Sequence, residues 1–261
     1  MSTKNTTSYT AIEQMVVSAA RQIADGETIY VGVGLPMQAV LLAKHLHAPN
    51  CTMVIENGIV RSDIFPLPMG TDTLSTQSFS IQLNGMFYVM CLGQAGHIDT
   101  GFLGAGQIDR YGNVNDTCAG DYRKPTHRWP GSGGGNDIMS FCDRTIVILE
   151  QSKRRFPERV DFNTCPGYFD GRSNQREDTG LRPNTGPSAV ITNLAEYTFE
   201  DRELTLKSVH AGVGVTPEMV KAEVGWDIKV SPKLSDTEPP NQKELTILRE
   251  HIRSNLPQPL R

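Results

Sequence analysis

No apolar run in this chain of 261 residues approaches the length of a membrane span. Its polar start, Met1-Ser-Thr-Lys-Asn-Thr-Thr7, lacks the apolar core of a signal peptide. These absences lead us to expect a cytoplasmic protein. There is no excess of positive charge either: the formal net charge is -4 and basic residues are interspersed with acidic ones, so neither nucleic acid nor an anionic membrane is indicated as a partner. The five cysteines, at 51, 91, 118, 142 and 165, form no C-x-x-C pair and no metal-ligand spacing. They read as reduced, buried thiols, and no metal is expected. No Gly-Lys-Ser/Thr follows any glycine loop, and Gly32 and Gly34 have no third glycine at the dinucleotide offset, so neither nucleotide fingerprint is met. What remains is 38% hydrophobic and 21% charged, enough to bury a sizeable core in one large α/β domain or two small ones. No internal repeat and no domain boundary is visible, and the chain reads as one unit over residues 1–261.

The first clear signal is local. Thr10-Ala-Ile-Glu13 is a capping box, and Ile12, Met15, Val16, Ala19 and Ile23 follow at helical spacing until Gly26. Thr28 to Gly34 reads as a strand, Pro36 suits the first turn of a helix over Met37–His47, and Met53-Val-Ile55 is a second strand. Strand, crossover helix and strand make a parallel βαβ unit.

That second strand ends in Glu56-Asn57-Gly58. In open α/β sheets the carboxyl ends of strands are where ligands bind, and a carboxylate there can act as a general base or covalent nucleophile. By itself the same triplet also reads as a solvated glutamate opening a turn before glycine. Asn57 could orient Glu56 or donate to an oxyanion, or simply form an Asn-Gly turn.

Further along, the pattern blurs between Arg61 and Gly101, where prolines and hydroxyl residues suggest a long irregular connection that includes a strand at Phe87–Cys91. Phe102 to Asn115 is a strand interrupted by small residues, then turned back at Tyr111-Gly112-Asn113. Glycines in such a strand mark a close approach, and the amides of Gly104, Ala105 and Gly106 suit an incoming oxyanion. Gly131-Ser-Gly-Gly-Gly-Asn136 leads into a short helix capped by Asn136 or Asp137. It reads equally as an oxyanion or phosphate site and as a flexible linker. Arg144–Leu149, Val160–Thr164, Pro187–Ile191, Tyr197–Phe199 and Leu204–Leu206 read as strands. Residues 167–186 read as a polar surface excursion. Thr216 caps a helix that runs to Val224, and Gln242–Ser254 is an amphipathic terminal helix.

Taken together these segments resemble one family. Gly34-Leu-Pro36, Ala48-Pro-Asn50, Glu56-Asn-Gly58, Gly104 to Asn115, Gly120-Asp-Tyr122, Gly131 to Asn136 and Gly212 to Pro217 occur in the order found in the B subunit of type I coenzyme A transferases. The pattern most resembles the glutaconate CoA-transferase B subunit, over roughly Thr10 to Arg253.

The resemblance implies an open, mainly parallel α/β sheet with helices on both faces, the NagB/RpiA-like CoA-transferase fold. It implies that Glu56 is the covalent nucleophile, carrying CoA as a glutamyl thioester, with Asn57 beside it. Gly104, Ala105, Gly106, Gln107, Gly133, Gly134 and Asn136 are then the candidates for oxyanion or CoA contacts. It implies no cofactor beyond the CoA esters used as substrates, and an A subunit as partner, in a heterodimer or a larger (αβ)n assembly. Relatives that hydrolyse carbon–carbon bonds of acyl-CoA ring-cleavage products, or decarboxylate a glutaconyl-type ester, generally lack this glutamate. Glu56 therefore favours transfer over those activities and over a purely structural subunit.

Overall fold

The capping box is present. Thr10 Oγ1 accepts from the Glu13 amide at 3.2 Å and Glu13 Oε2 accepts from the Thr10 amide at 2.8 Å, opening helix α1 (Ala11–Ala20). The computed structural model describes residues 8–61, 67, 70 and 73–255. Strand β1 (Thr28–Tyr30), helix α2 (Leu35–Leu46) and strand β2 (Thr52–Ile55) form the expected βαβ unit, with β1 and β2 parallel. β1 is shorter than anticipated, because Val31–Gly34 leaves the sheet and turns into α2.

The sheet continues with β3 (Ile59–Arg61), β4 (Ser80–Leu83), β5 (Thr100–Leu103), β6 (Arg144–Ile148), β7 (Pro187–Ile191), β8 (Ala195–Glu200), β9 (Glu203–Val209) and β10 (Lys229–Asp236). Among the described residues its order is β10-β9-β8-β7-β6-β5-β1-β2-β3-β4. β2, β1, β5, β6 and β7 are parallel to their neighbours within that run, whereas β3, β4, β8 and β9 join antiparallel at its flanks. Chain order reverses between β1 and β5, which makes their carboxyl ends a topological switch point.

Side-chain alternation divides the core into two layers. Ile29, Met53, Ile55, Ile146, Ile148 and Ile191 pack under α1, α2 and the terminal helix. Tyr30, Val54, Val147 and Val190 point the other way, toward helices α3 (Met86–Gln94) and α4 (Gly135–Phe141). Helices thus cover both faces, and each fully buried Val, Ile or Leu contributes roughly 1.5–3 kcal/mol.

The structure corrects several expectations. Phe87–Cys91 lies in α3 and is not a strand, since a short apolar run has no period that distinguishes the two. Val89 and Gly93, one helical turn apart, are the buried positions of α3 and face Tyr30, whose hydroxyl donates to the Val89 carbonyl. Val160–Thr164 is irregular, joined to its surroundings by the Thr164 amide on the Val114 carbonyl at 2.9 Å and by side-chain hydrogen bonds, next to an isolated bridge between Cys165 and Val114. Thr216 does cap a helix, α5 (Pro217–Ala222). The terminal helix is regular only over α6 (Gln242–Thr246) and widens to a π-helix over Ile247–Ile252. β10 departs from the sequence pattern, because Pro232 sits inside it; an edge strand tolerates the missing N–H. Among the described residues no helix is long and apolar enough to cross a membrane.

Gly58 locks the hairpin between β2 and β3 to the start of α3. Its φ is +108°, its carbonyl accepts from the Asn84 amide at 2.9 Å, and an added Cβ would lie 2.0 Å from the Asn84 carbonyl oxygen. Gly58→Ala is therefore expected to destabilise the protein by about 2–4 kcal/mol, through strain and displaced backbone together. A fall in the denaturant midpoint with an unchanged slope is the measurement that checks it.

Candidate active site

Four adjacent parallel strands end at one cavity. Tyr30 to Val33 arrive from β1, Glu56 from β2, Phe102 to Gly104 from β5 and Ile148 from β6, enclosing ≈ 290 Å³ with Leu35, Pro36, Ser132, Gly135 and Ile138. Cβ atoms built on Gly32, Gly34 or Gly104 would meet nothing within 4 Å, so these glycines leave open backbone at the cavity.

Glu56 is the carboxylate of this lining. Its place follows from the apolar run Met53-Val-Ile55, which must stay in the core, and from the turn closed by the Gly58 amide on the Ile55 carbonyl at 3.0 Å. The side chain is half-buried, and its Oε2 accepts from the Gly134 amide at 2.7 Å. A Cβ on Gly134 would sit 2.7 Å from that oxygen and 2.8 Å from Met90 Cε, and one on Gly133 would sit 3.3 Å from it. The glycine-rich loop therefore closes directly over the carboxylate, at a distance only residues without side chains permit.

Gly134 is itself the cap residue of α4, in place of the expected Asn136 or Asp137. Asn136 is exposed, and its amide donates to the Thr164 carbonyl at 2.9 Å, which ties the loop to the segment before Cys165. Asn57 lies half-buried in the turn and outside the cavity lining.

The 104–107 stretch divides. The Gly104 and Ala105 amides donate to no described backbone carbonyl, and Gly104 lines the cavity. The Gly106 amide is already donated to Asp116 Oδ1 at 2.6 Å, and Trp129 packs so closely that a Cβ on Gly106 would lie 2.6 Å from its ring. Gln107 is turned inward, donating to Asp161 at 2.9 Å and accepting from Asn115 at 2.7 Å. Gly106 and Gln107 thus hold the second wall together, and their polar groups are occupied there.

Two other ionisable side chains lie nearby, both with their neutral forms favoured. Cys165 lies behind the loop, 3.1 Å from where a Gly135 Cβ would be, and burial, reinforced by Asp116, pushes its thiol up to about 12. Burial likewise pushes the Tyr30 phenol up.

Residues that sequence reasoning did not single out also meet here. Ser132 lines this cavity and a neighbouring one of ≈ 410 Å³, which also takes in Gly104 to Gly106, Asp116, Trp129 and Arg155. Ser132 could have been found, since it interrupts the glycine loop. Met90 could not, since it sits in the segment that reads as a strand.

The chain matches the coenzyme A transferase family over residues 12–222. It is 37% identical over 245 residues to the B subunit of 3-oxoadipate CoA-transferase from Pseudomonas knackmussii, covering 92% of each chain. It is 32% identical over 252 residues to the B subunit of glutaconate CoA-transferase from Acidaminococcus fermentans, covering 94% of this chain and 93% of the relative. The crystal structure of glutaconate coenzyme A-transferase from the same organism superposes with a TM-score of 0.88 at 31% identity, covering 94% of this chain and 95% of that one. An open sheet with a carboxylate under a glycine loop at its switch point, and a family pattern spanning most of the chain, lead to one conclusion: this chain belongs to the coenzyme A transferase family.

Proposed function

We propose that this chain is the B subunit of a CoA-transferase that moves CoA between an acyl-CoA and a short dicarboxylic acid, with Glu56 as the covalent nucleophile. The observation that carries the proposal is the Glu56 carboxylate at the cavity, held by the Gly134 amide at 2.7 Å.

Exchange between two carboxylic acids needs a nucleophile whose acyl derivative is as reactive as the substrate's, and a carboxylate meets that need. Attack of Glu56 on the thioester carbonyl expels CoA thiolate and leaves a mixed anhydride. The thiolate then adds to the glutamyl carbonyl, releasing the first acid and leaving CoA as a thioester on Glu56. The second acid reverses both steps, so no oxidant, reductant or net proton is consumed.

When the thiolate adds at Glu56, one of that residue's own oxygens becomes the oxyanion. Gly134 N–H already lies on Oε2 and is positioned to stabilise it; the open Gly104 and Ala105 amides are our donors for an oxyanion on the substrate carbonyl. Each such donor is worth about 3 kcal/mol of barrier.

Incubation of the active complex with an acyl-CoA, followed by borohydride and mass spectrometry, is expected to show reduction at Glu56. Modification at another residue, or none with full turnover, would overturn the assignment.

The two sequence relatives are each a B subunit, and glutaconate and 3-oxoadipate are both dicarboxylic acids. By extension we assign this chain an A-type partner of similar fold. The surface supports this: Leu74, Phe79, Ile81, Leu83, Met86 and Phe87 are exposed around edge strand β4 and the first turn of α3, with Phe87 83% accessible. This apolar patch adjoins the Glu56 hairpin through the contact of Gly58 with Asn84. An obligate interface burying more than about 2,000 Å² is expected there. The double substitution Ile81→Lys with Phe87→Glu should abolish copurification with the co-expressed A-type chain, while an unchanged sedimentation profile would place the interface elsewhere.

A further inference from the structure

The chamber beside the nucleophile's cavity contains a cation with no partner among the described residues. Arg155 lies in the turn after β6, its backbone fixed by its own amide on the Ser152 carbonyl and by the Ile108 amide on its carbonyl, both at 2.8 Å. Arg110 is paired with Glu158 and Glu203, and Arg144 with Glu27. The half-buried Arg155 guanidinium makes no hydrogen bond or ion pair with any described residue. A guanidinium without a carboxylate is left with its donors open, and its planar geometry suits a carboxylate bound through two parallel hydrogen bonds.

The chamber's shape gives that cation a use. Arg155 lines the ≈ 410 Å³ space together with Trp129 and the backbone of Gly104 to Gly106. Leu103, Gly104, Ser132 and Gly135 line both this open space and the cavity that holds Glu56, so the two adjoin along these residues. Trp129 packs against the Gly106 backbone, which makes its ring a fixed wall. Asp116 shares the lining, but its Oδ1 is turned to the Gly106 amide at 2.6 Å.

We propose that this second chamber receives the far end of the acid substrate, and that Arg155 binds its distal carboxylate while the near carboxyl group reacts at Glu56. This rests on the reading of Glu56 as nucleophile and adds the residue that distinguishes a dicarboxylic from a monocarboxylic acid. A site built to pair a charged group discriminates strongly against analogues that lack it.

The test uses the complete complex, with acetyl-CoA as donor and two five-carbon probes as acceptors, glutarate and pentanoate. Arg155→Gln is expected to raise KM for glutarate about 10- to 100-fold while pentanoate keeps its KM. Arg155→Lys should recover part of the preference by restoring charge without the bidentate fork. An unchanged glutarate KM, or equal rises for both acids, would overturn the proposal. Calorimetric binding of glutarate to the wild-type and Arg155→Gln complexes gives a second readout that needs no turnover, and equal affinities there would overturn it too. The borohydride trap on the wild-type complex reports on Glu56 separately, so failure of that reading is distinguishable from failure of this one.

Discussion

Glu56→Ala is expected to lower CoA exchange by at least about 10,000-fold, because in the proposed mechanism it removes the group on which both halves of the reaction meet. Stability should change little. The side chain is half-buried and tied to the fold by the 2.7 Å hydrogen bond from Gly134, so the substitution leaves no large core cavity. Glu56→Asp is the sharper variant. It keeps the charge but withdraws the carboxylate by one methylene, and a misplacement of roughly 1 Å costs on the order of 100-fold in rate. Glu56→Gln retains an oxygen for the Gly134 amide and should expose thioester hydrolysis, with water replacing the missing nucleophile. Steady-state exchange rates, alongside denaturation midpoints, check the series. Near-normal transfer by Glu56→Ala would refute the covalent role, whereas absence of transfer by the unsubstituted complex would advance carbon–carbon hydrolysis or decarboxylation as the activity.

Gly134→Ala tests the same geometry from the opposite side of the cleft. Gly134 has φ -78° and ψ -1°, a conformation alanine adopts without strain, so the backbone itself does not oppose the change. The added methyl would lie 2.7 Å from Glu56 Oε2 and 2.8 Å from Met90 Cε. Met90 can swing its flexible end aside. The carboxylate cannot move without leaving the Gly134 amide and its place at the cavity. A kcat lower by about 100-fold, with the acid KM values and the denaturation midpoint nearly unchanged, is the expected result. Full kcat in this variant would show that the Gly134 amide does not hold the nucleophile in the working complex.

Both experiments concern a contact whose two halves differ in how readable they are. The strand before Glu56 is legible because Met53-Val-Ile55 is a continuous apolar run closed by an Asn-Gly turn, and such signals act within a few residues. The capping box of α1, the crossover helix α2, and strands β6 and β7 are legible for the same reason: local period and composition already decide between helix and strand.

The partner of Glu56 is not legible. Gly134 is 78 residues further along the chain, in a loop whose sequence serves equally well as a flexible linker. Its contact depends on β5 lying between β1 and β6, which is a matter of sheet order.

The same limit separates the glycine candidates. Gly104 and Gly106 are two residues apart and look alike in sequence, yet one opens onto the cavity and the other is held by Asp116 and covered by Trp129. Arg155 shows it for charge. Within Lys153-Arg154-Arg155 nothing local marks one side chain, and only the fold turns Arg155 to the chamber while leaving Lys153 and Arg154 in solvent. By itself the sequence determined the family, the α/β character and the carboxylate at a strand end, since these depend on local pattern and on motifs in order. The tertiary structure decided which amide meets that carboxylate, which glycines stay open and which cation faces the cleft, because those contacts form between segments brought together only by sheet order and crossover connections.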